Sequence, residues 1–281
     1  MSKIGILHPG EMGVSVAASA MKSGHLVYWA SESRSEQTRR RAEKQDLIEV
    51  QSLFELCQTC EVIISICPPH AAEDMARSVV AEGFKGFYLD ANAISPQRTK
   101  RLHQIMESNE IHFIDGSIIG GPAWTAGETY LYLSGKDAEV IRDCFQTGPL
   151  ETRIIGEEVG KASALKMCFA AYSKGMTALL ASILATAEVH DVREALYRQW
   201  DMDDPAFSEQ VNRRVTRTTD KAWRFAGEMD EIATTFAEAG LPDGFHKAAA
   251  KIFQRMTNLE PDGPEPLTQI LAALPAKQAG C

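Results

Sequence analysis

The pattern of the chain changes once, near Gly156, and that break limits the architecture more than any other feature. Before it, short apolar runs at 3–7, 26–30, 62–67, 86–90, 112–115, 128–134 and 152–155 alternate with helical patterns at 12–23, 35–44, 71–81 and 95–108. Gly24 is placed to stop the first helix and Pro96 to open the last. Such alternation predicts an α/β fold, a Rossmann-type doubly wound parallel sheet. After the break there is no strand pattern: a long apolar helix at 161–188 is followed by helices at 194–200, 205–218, 221–238, 243–257 and 267–274, with a proline-rich loop at 260–266. Two domains are therefore expected, an α/β domain at 1–156 and an all-α domain at 157–281, as suits 281 residues.

The first strand runs into His8-Pro9-Gly10-Glu11-Met12-Gly13, a variant of G-x-G-x-x-G with His8 in place of the first glycine. Gly10 lets backbone amides approach a pyrophosphate, Gly13 lets the helix pack close on the strand, and the helix N-terminus favours the anion. An ordinary strand–turn–helix is the alternative; the position at the head of an alternating domain favours the dinucleotide. At the end of the second strand Ser31 stands where an NAD site carries an acid, and Arg34, with Ser33 and Ser35, offers a clamp for a 2′-phosphate. Glu32 argues for NAD, but NADP is the expected cofactor. Arg40 and Arg41 read as a solvated helix face, with Arg39 one turn beyond Arg34. Cys67 and Pro68, closing the third predicted strand, complete the expected cofactor wall.

An apolar fraction of 44%, a charged fraction of 24% and a net charge of −9 describe an ordinary globular chain and disfavour nucleic acid as a partner. There is no signal-peptide pattern at the start, and no run of about 18 apolar residues is apparent, so a cytoplasmic protein without a membrane partner is expected. Of six cysteines only Cys57 and Cys60 form a C-x-x-C; with no second pair or histidines at ligand spacing, it reads as structural and no metal is expected.

Four segments together resemble the β-hydroxyacid dehydrogenase family, which includes 3-hydroxyisobutyrate and 6-phosphogluconate dehydrogenases. They are the glycine turn; Asp115-Gly116-Ser117-Ile118-Ile119-Gly120-Gly121 with Gly127 and Gly135; Gly160-Lys161-Ala162-Ser163-Ala164-Leu165-Lys166; and, more weakly, Asp90–Pro96 through Asn92. The resemblance implies a Rossmann domain followed by a helical one, a homodimer, Asn92 near the nicotinamide and Lys166 as the catalytic proton carrier. It places substrate against Ile119, Gly120, Gly121 and Ala170. Ile119 and Ala170 stand where the family carries serine and asparagine, which questions a β-hydroxy acid substrate. Residues 227–231 and 240–246 resemble an uncharacterised C-terminal domain that accompanies such dehydrogenases.

Helical spacing puts Ser163, Ala170 and Ser173 on the face of Lys166. A desolvated lysine exchanges a proton readily; the alternative is a side chain that snorkels to solvent. Lys174 reads as the solvent edge of the same helix. His246, at a helix start, is a candidate substrate contact, with Trp124, Tyr172 and Trp223 as candidate walls. The expected activity is hydride transfer between NAD(P) and a small hydroxy or oxo compound; reduction of a C=N bond and non-catalytic dinucleotide binding are the alternatives.

Overall fold

The computed structural model describes residues 1–257, 259 and 266–275; apart from Leu259 and Pro266, the loop expected at 260–266 lies outside the described residues. The chain forms two compact units, Met1–Met167 and Cys168–Cys281.

The first unit is built on eight strands: β1 (Lys3–Ile6), β2 (Leu26–Ala30), β3 (Ile48–Val50), β4 (Val62–Ser65), β5 (Phe87–Asp90), β6 (His112–Ile119), β7 (Thr129–Ser134) and β8 (Leu150–Gly156). Their order is β3-β2-β1-β4-β5-β6-β7-β8. Helices α1 (Glu11–Lys22), α2 (Glu36–Lys44), α3 (Leu53–Thr59), α4 (Ala72–Ala81), α5 (Pro96–Glu107) and α6 (Ala138–Asp143) connect them. The central strands are buried on both faces, which is why Ile4, Ile6, Ile63, Ile64, Tyr88 and Leu89 sit in unbroken apolar runs rather than alternating ones.

Two features depart from the expected sheet. β3 is three residues long, too short to carry a periodic signal, yet it pairs in parallel with β2 and forms one edge. β7 runs antiparallel to β6. The connection at 120–128 is shorter than the dozen or so residues a parallel crossover requires, so the chain must turn back. The sheet is accordingly mostly parallel.

The last piece of the first unit is the start of helix α7 (Lys161–Ala170), tied down by a buried carboxylate. Asp115, on β6, accepts hydrogen bonds from the amides of Gly160 (2.9 Å) and Ser163 (3.1 Å) and from the hydroxyls of Ser163 (2.6 Å) and Ser134 (2.8 Å). Ser134 in turn accepts from the Ala162 amide at 3.1 Å, and Ser163 shares a 2.8 Å bond with Thr99 on α5. The orphan amides of a helix start are thus satisfied from the sheet. That is why the helix opens within the α/β unit, beyond the end of β8.

In the second unit the helix passes through a π-helical turn, Ala171–Gly175, into α8 (Met176–Val189). Helices α9 (Arg193–Asp203), α10 (Phe207–Thr216), α11 (Ala222–Glu238), α12 (Gly244–Met256) and α13 (Pro266–Ala273) follow. α8 packs on α10, α12 and α13 with Ala178, Leu180, Ala181 and Leu184 buried, and α11 lies along α12 with Phe225 edge-on to Phe253 at 5.6 Å. The run from Lys161 to Val189 contains an 18-residue window of mean hydropathy 1.4, long and apolar enough to cross a membrane by length and composition, contrary to the reading of the sequence. Its buried face on α10, α12 and α13 is that of a core helix.

Removing the Asp115 acceptor strands four donors. Asp115→Ala is expected to cost about 3 kcal/mol or more in urea unfolding, because buried donors without partners carry their full desolvation penalty. A loss below about 1 kcal/mol would show that the helix start is held by something else.

Candidate functional site

The two halves of the sheet diverge between β1 and β4, where an open α/β sheet places its ligand crevice. The turn after β1 is tight: the Gly10 amide donates to the His8 carbonyl at 2.8 Å, and α1 starts at Glu11 with no side chain capping its first amides. A Cβ on Gly13 would sit 2.1 Å from the His8 carbonyl oxygen, whereas a Cβ on Gly10 would meet nothing within 4 Å. Gly13 is therefore needed for the helix to pack, and Gly10 leaves space above the turn. Pro9 is buried, Met12 half-buried, and Glu11 exposed beside Arg41 at 3.8 Å.

His8 and Arg34 face this space with unsatisfied chemistry. His8 Nδ1 and Arg34 Nε are buried and have no hydrogen-bond partner among the described residues. Burial, and then the nearby Arg34 charge, push His8 down to about 4, so it is neutral at physiological pH. Burial also lowers the pKa of Arg34, whose charge reaches Cys67 on the far side of the crevice. Ser33, the residue before Arg34, adopts the left-handed conformation (φ 58°). Ser31 is buried; its carbonyl accepts from the Arg34 amide at 3.2 Å and from the Arg39 guanidinium at 2.7 Å. Arg39 also pairs with Glu49 at 3.3 Å, so it braces the turn, while Arg40 pairs with Glu36 at the surface. Glu32 is exposed.

The turns after β4 and β5 are joined through Asn92. Its side-chain carbonyl accepts from the Cys67 amide at 2.6 Å, and its amide donates to Ser65 at 3.1 Å and Asp90 at 2.9 Å. Asn92 is 2% exposed, and its side chain holds the Cys67–Pro68 turn in place. Burial, followed by the Asp90 charge, pushes the half-buried Cys67 thiol up to about 12.

The third part lies at the end of β6. Ile119 is its last residue and half-buried. Gly120 has φ 131°, and a Cβ there would meet the Glu128 carbonyl at 2.5 Å, so only glycine fits; a Cβ on Gly121 would meet nothing. The loop is pinned to α1, where the Ser15 hydroxyl accepts from the Ala123 amide at 2.8 Å. Lys166 is half-buried, and its ammonium donates to the Ile118 carbonyl at 2.6 Å instead of extending to solvent. The first unit thus gathers His8, Gly10, Arg34, Cys67 and Pro68 along its crevice, and Gly120, Gly121 and Lys166 at the end of β6.

Residues 3–146 match the NAD binding domain of 6-phosphogluconate dehydrogenase. The chain belongs to that NAD-binding family. Residues 187–256 of this family member match a domain of unknown function (DUF1932). Among solved structures, the conserved protein MTH1747, of unknown function and described as similar to 3-hydroxyacid dehydrogenases, is 25% identical with TM-score 0.69, covering 96% of this chain and 99% of its own. The 3-hydroxyisobutyrate dehydrogenase of Mycobacterium tuberculosis is 16% identical with TM-score 0.72, covering 98% and 100%. The imine reductase of Myxococcus stipitatus, in complex with NADP+, is 17% identical with TM-score 0.57, covering 90% and 93%; a V8 variant of it is in complex with NAD+.

The remaining candidates of this family member are spread over both units. Ala170 is fully buried, and the Ser173 hydroxyl bonds back to the Ala170 carbonyl at 3.5 Å. His246 is buried between Phe236 (ring centroids 4.1 Å apart) and Phe245 (5.2 Å), its Nδ1 without a partner among the described residues. Lys174 is not at a solvent edge: it pairs with Glu228 on α11 in the interior. Trp124, Tyr172 and Trp223 are exposed. Cys57 and Cys60 are buried free thiols that burial pushes up to about 12, consistent with packing. Asp90, Asp115 and Glu228 were not singled out as site residues in the sequence; two aspartates at the carboxyl ends of neighbouring strands were the available signal.

Burial pushes Asp90 from its ordinary value up to about 7, against the bonds from Asn92. The folded chain then keeps a proton between about pH 4 and 7 that the unfolded chain releases, so this group makes stability fall as pH rises through that window. Asp90→Asn is expected to flatten the curve by up to ~4 kcal/mol between those limits, read from urea midpoints at each pH. Parallel curves for the two proteins would place the carboxyl at its ordinary value.

Proposed function

We propose that this protein is an NAD(P)-dependent oxidoreductase that prefers NADP and acts on a small hydroxy or oxo compound. The observation that carries the reading is the crevice between β1 and β4, where the room above Gly10 is flanked by unpartnered nitrogens of His8 and Arg34. These groups fit an anionic dinucleotide. The exposed amides at the start of α1 would hold the pyrophosphate and Arg34, with Ser33, the 2′-phosphate; neutral His8 and the Cys67–Pro68 turn would line the groove. When bound, the nicotinamide supplies or accepts the hydride.

The chain's own part is to position and to move a proton. A Cβ on Gly121 would meet nothing within 4 Å, so the chain there leaves room for a substrate carbonyl or carboxylate. Lys166, held at the neighbouring Ile118 carbonyl, gives a proton to the substrate oxygen as hydride arrives at carbon, and takes it back in the reverse direction. Membership of the NAD-binding family and the 3-hydroxyacid dehydrogenase likeness of MTH1747 support this reading. A second reading, reduction of a C=N bond with Lys166 protonating nitrogen, is favoured by apolar Ile119 and Ala170 and by the shared fold of the imine reductase.

Lys166→Ala is expected to lower kcat by about 10²–10⁴-fold with NADPH affinity unchanged. Arg34→Ala is expected to weaken NADPH by about 10–100-fold and leave NADH alone. Screening hydroxy acids and cyclic imines with both cofactors separates the two chemistries. An unaltered rate in the lysine variant would remove it from the mechanism, and an unaltered NADPH affinity in the arginine variant would do the same for the clamp.

A further inference from the structure

The long helix loses its regular pitch at Ala171–Gly175, and π-helical turns of this kind recur at functional sites. Lys174, on that turn, is only 13% exposed, and its ammonium donates to Glu228, 6% exposed, on α11. Arg224, one turn before Glu228, places Nε 3.3 Å from the same carboxylate. Both cations lie over the Phe225 ring, at 5.0 Å and 5.6 Å from its centroid.

Taking an ammonium and a carboxylate out of water costs several kcal/mol per ion, and a well-packed apolar pair holds helices together as well or better. Structure alone therefore gives little reason for the pair. Its balance is also uneven, with two cations on one carboxylate and Arg224 still 46% exposed. Exposed aromatic residues stand next to the cluster in sequence, and one packs on the turn itself. Tyr172 precedes Lys174 by two residues, Trp223 precedes Arg224, and Phe245 packs on Gly175, 3.2 Å from where a Cβ would stand. All three rings are about half-exposed or more.

We propose that Lys174 and Arg224 form a subsite for an organic carboxylate with an apolar body, the half-exposed ring of Phe245 on the π-helical turn taking the body. Glu228 positions the two cations; an incoming carboxylate completes their neutralisation, with the guanidinium presenting its parallel N–H groups. The subsite lies on the second unit, whose segment 187–256 matches a domain without an assigned activity, and it does not rest on the dinucleotide reading.

The test is a titration of the full chain with phenylacetate and, as the uncharged control, phenylacetamide. Saturable phenylacetate binding is expected, with the amide at least about tenfold weaker. Arg224→Gln should weaken phenylacetate about tenfold with the circular dichroism spectrum and NADPH affinity unchanged. Lys174→Met alone removes the ammonium from a buried carboxylate, so it is made together with Glu228→Leu, an apolar replacement that should abolish binding in a folded protein. Equal affinity for acid and amide, no saturable binding, or phenylacetate affinity unchanged in Arg224→Gln would overturn the proposal. Binding lost in Lys166→Ala but kept in Arg224→Gln would move the carboxylate to the end of β6 and leave the oxidoreductase reading intact.

Discussion

One buried carboxylate sets the geometry on which the candidate chemistry depends. Asp115, midway along β6, sits among the amides and hydroxyls of Gly160, Ser163 and Ser134, so the first turn of α7 is fixed to β6 and, through Ser134 and Thr99, to β7 and α5. A carboxylate at a helix N-terminus also meets the positive end of the helix dipole. One turn further along that helix stands Lys166, and the strand that supplies Asp115 supplies the Ile118 carbonyl that the lysine touches. Anchor and lysine are thus joined through the same two elements. The position of the ammonium is therefore set by the sheet rather than by a flexible loop.

The crevice shows a similar division between groups that hold the fold and groups left over from it. Gly13 is filled against the His8 carbonyl, while Gly10 faces open space. Arg39 spends its guanidinium on Ser31 and Glu49, while Arg34, five residues earlier, keeps a buried nitrogen without a partner. Asn92 is consumed internally and shapes the turn that Cys67 begins. In the first two cases one group is used within the fold while its neighbour has no such use among the described residues.

Much of this was legible before the coordinates. Apolar runs marked the buried parallel strands because both faces of those strands are covered, and the break after Gly156 marked the onset of helices. The roles of Gly10 and Gly13 followed from what a missing Cβ permits. Less visible were contacts between residues far apart in the chain. β3 has too few residues for a periodic signal, and the reversal at β7 depends on the length of a loop. The resemblance of residues 90–96 to a family loop pointed to Asn92, but its three internal partners were not visible in the sequence. Lys174 looked like a surface lysine because Glu228, its partner, lies 54 residues away on another helix.

The central claim is that the turn after β1 is shaped to receive a dinucleotide and not merely to reverse the chain, and Gly10→Val tests it most directly. Gly10 has an ordinary extended conformation and no neighbour within 4 Å of a Cβ, so the variant should fold with an unchanged melting temperature. Its side chain would occupy the space assigned to the pyrophosphate. Fluorescence titration with NADPH is predicted to show affinity reduced by more than about tenfold in the folded variant. Wild-type affinity in Gly10→Val would contradict the account.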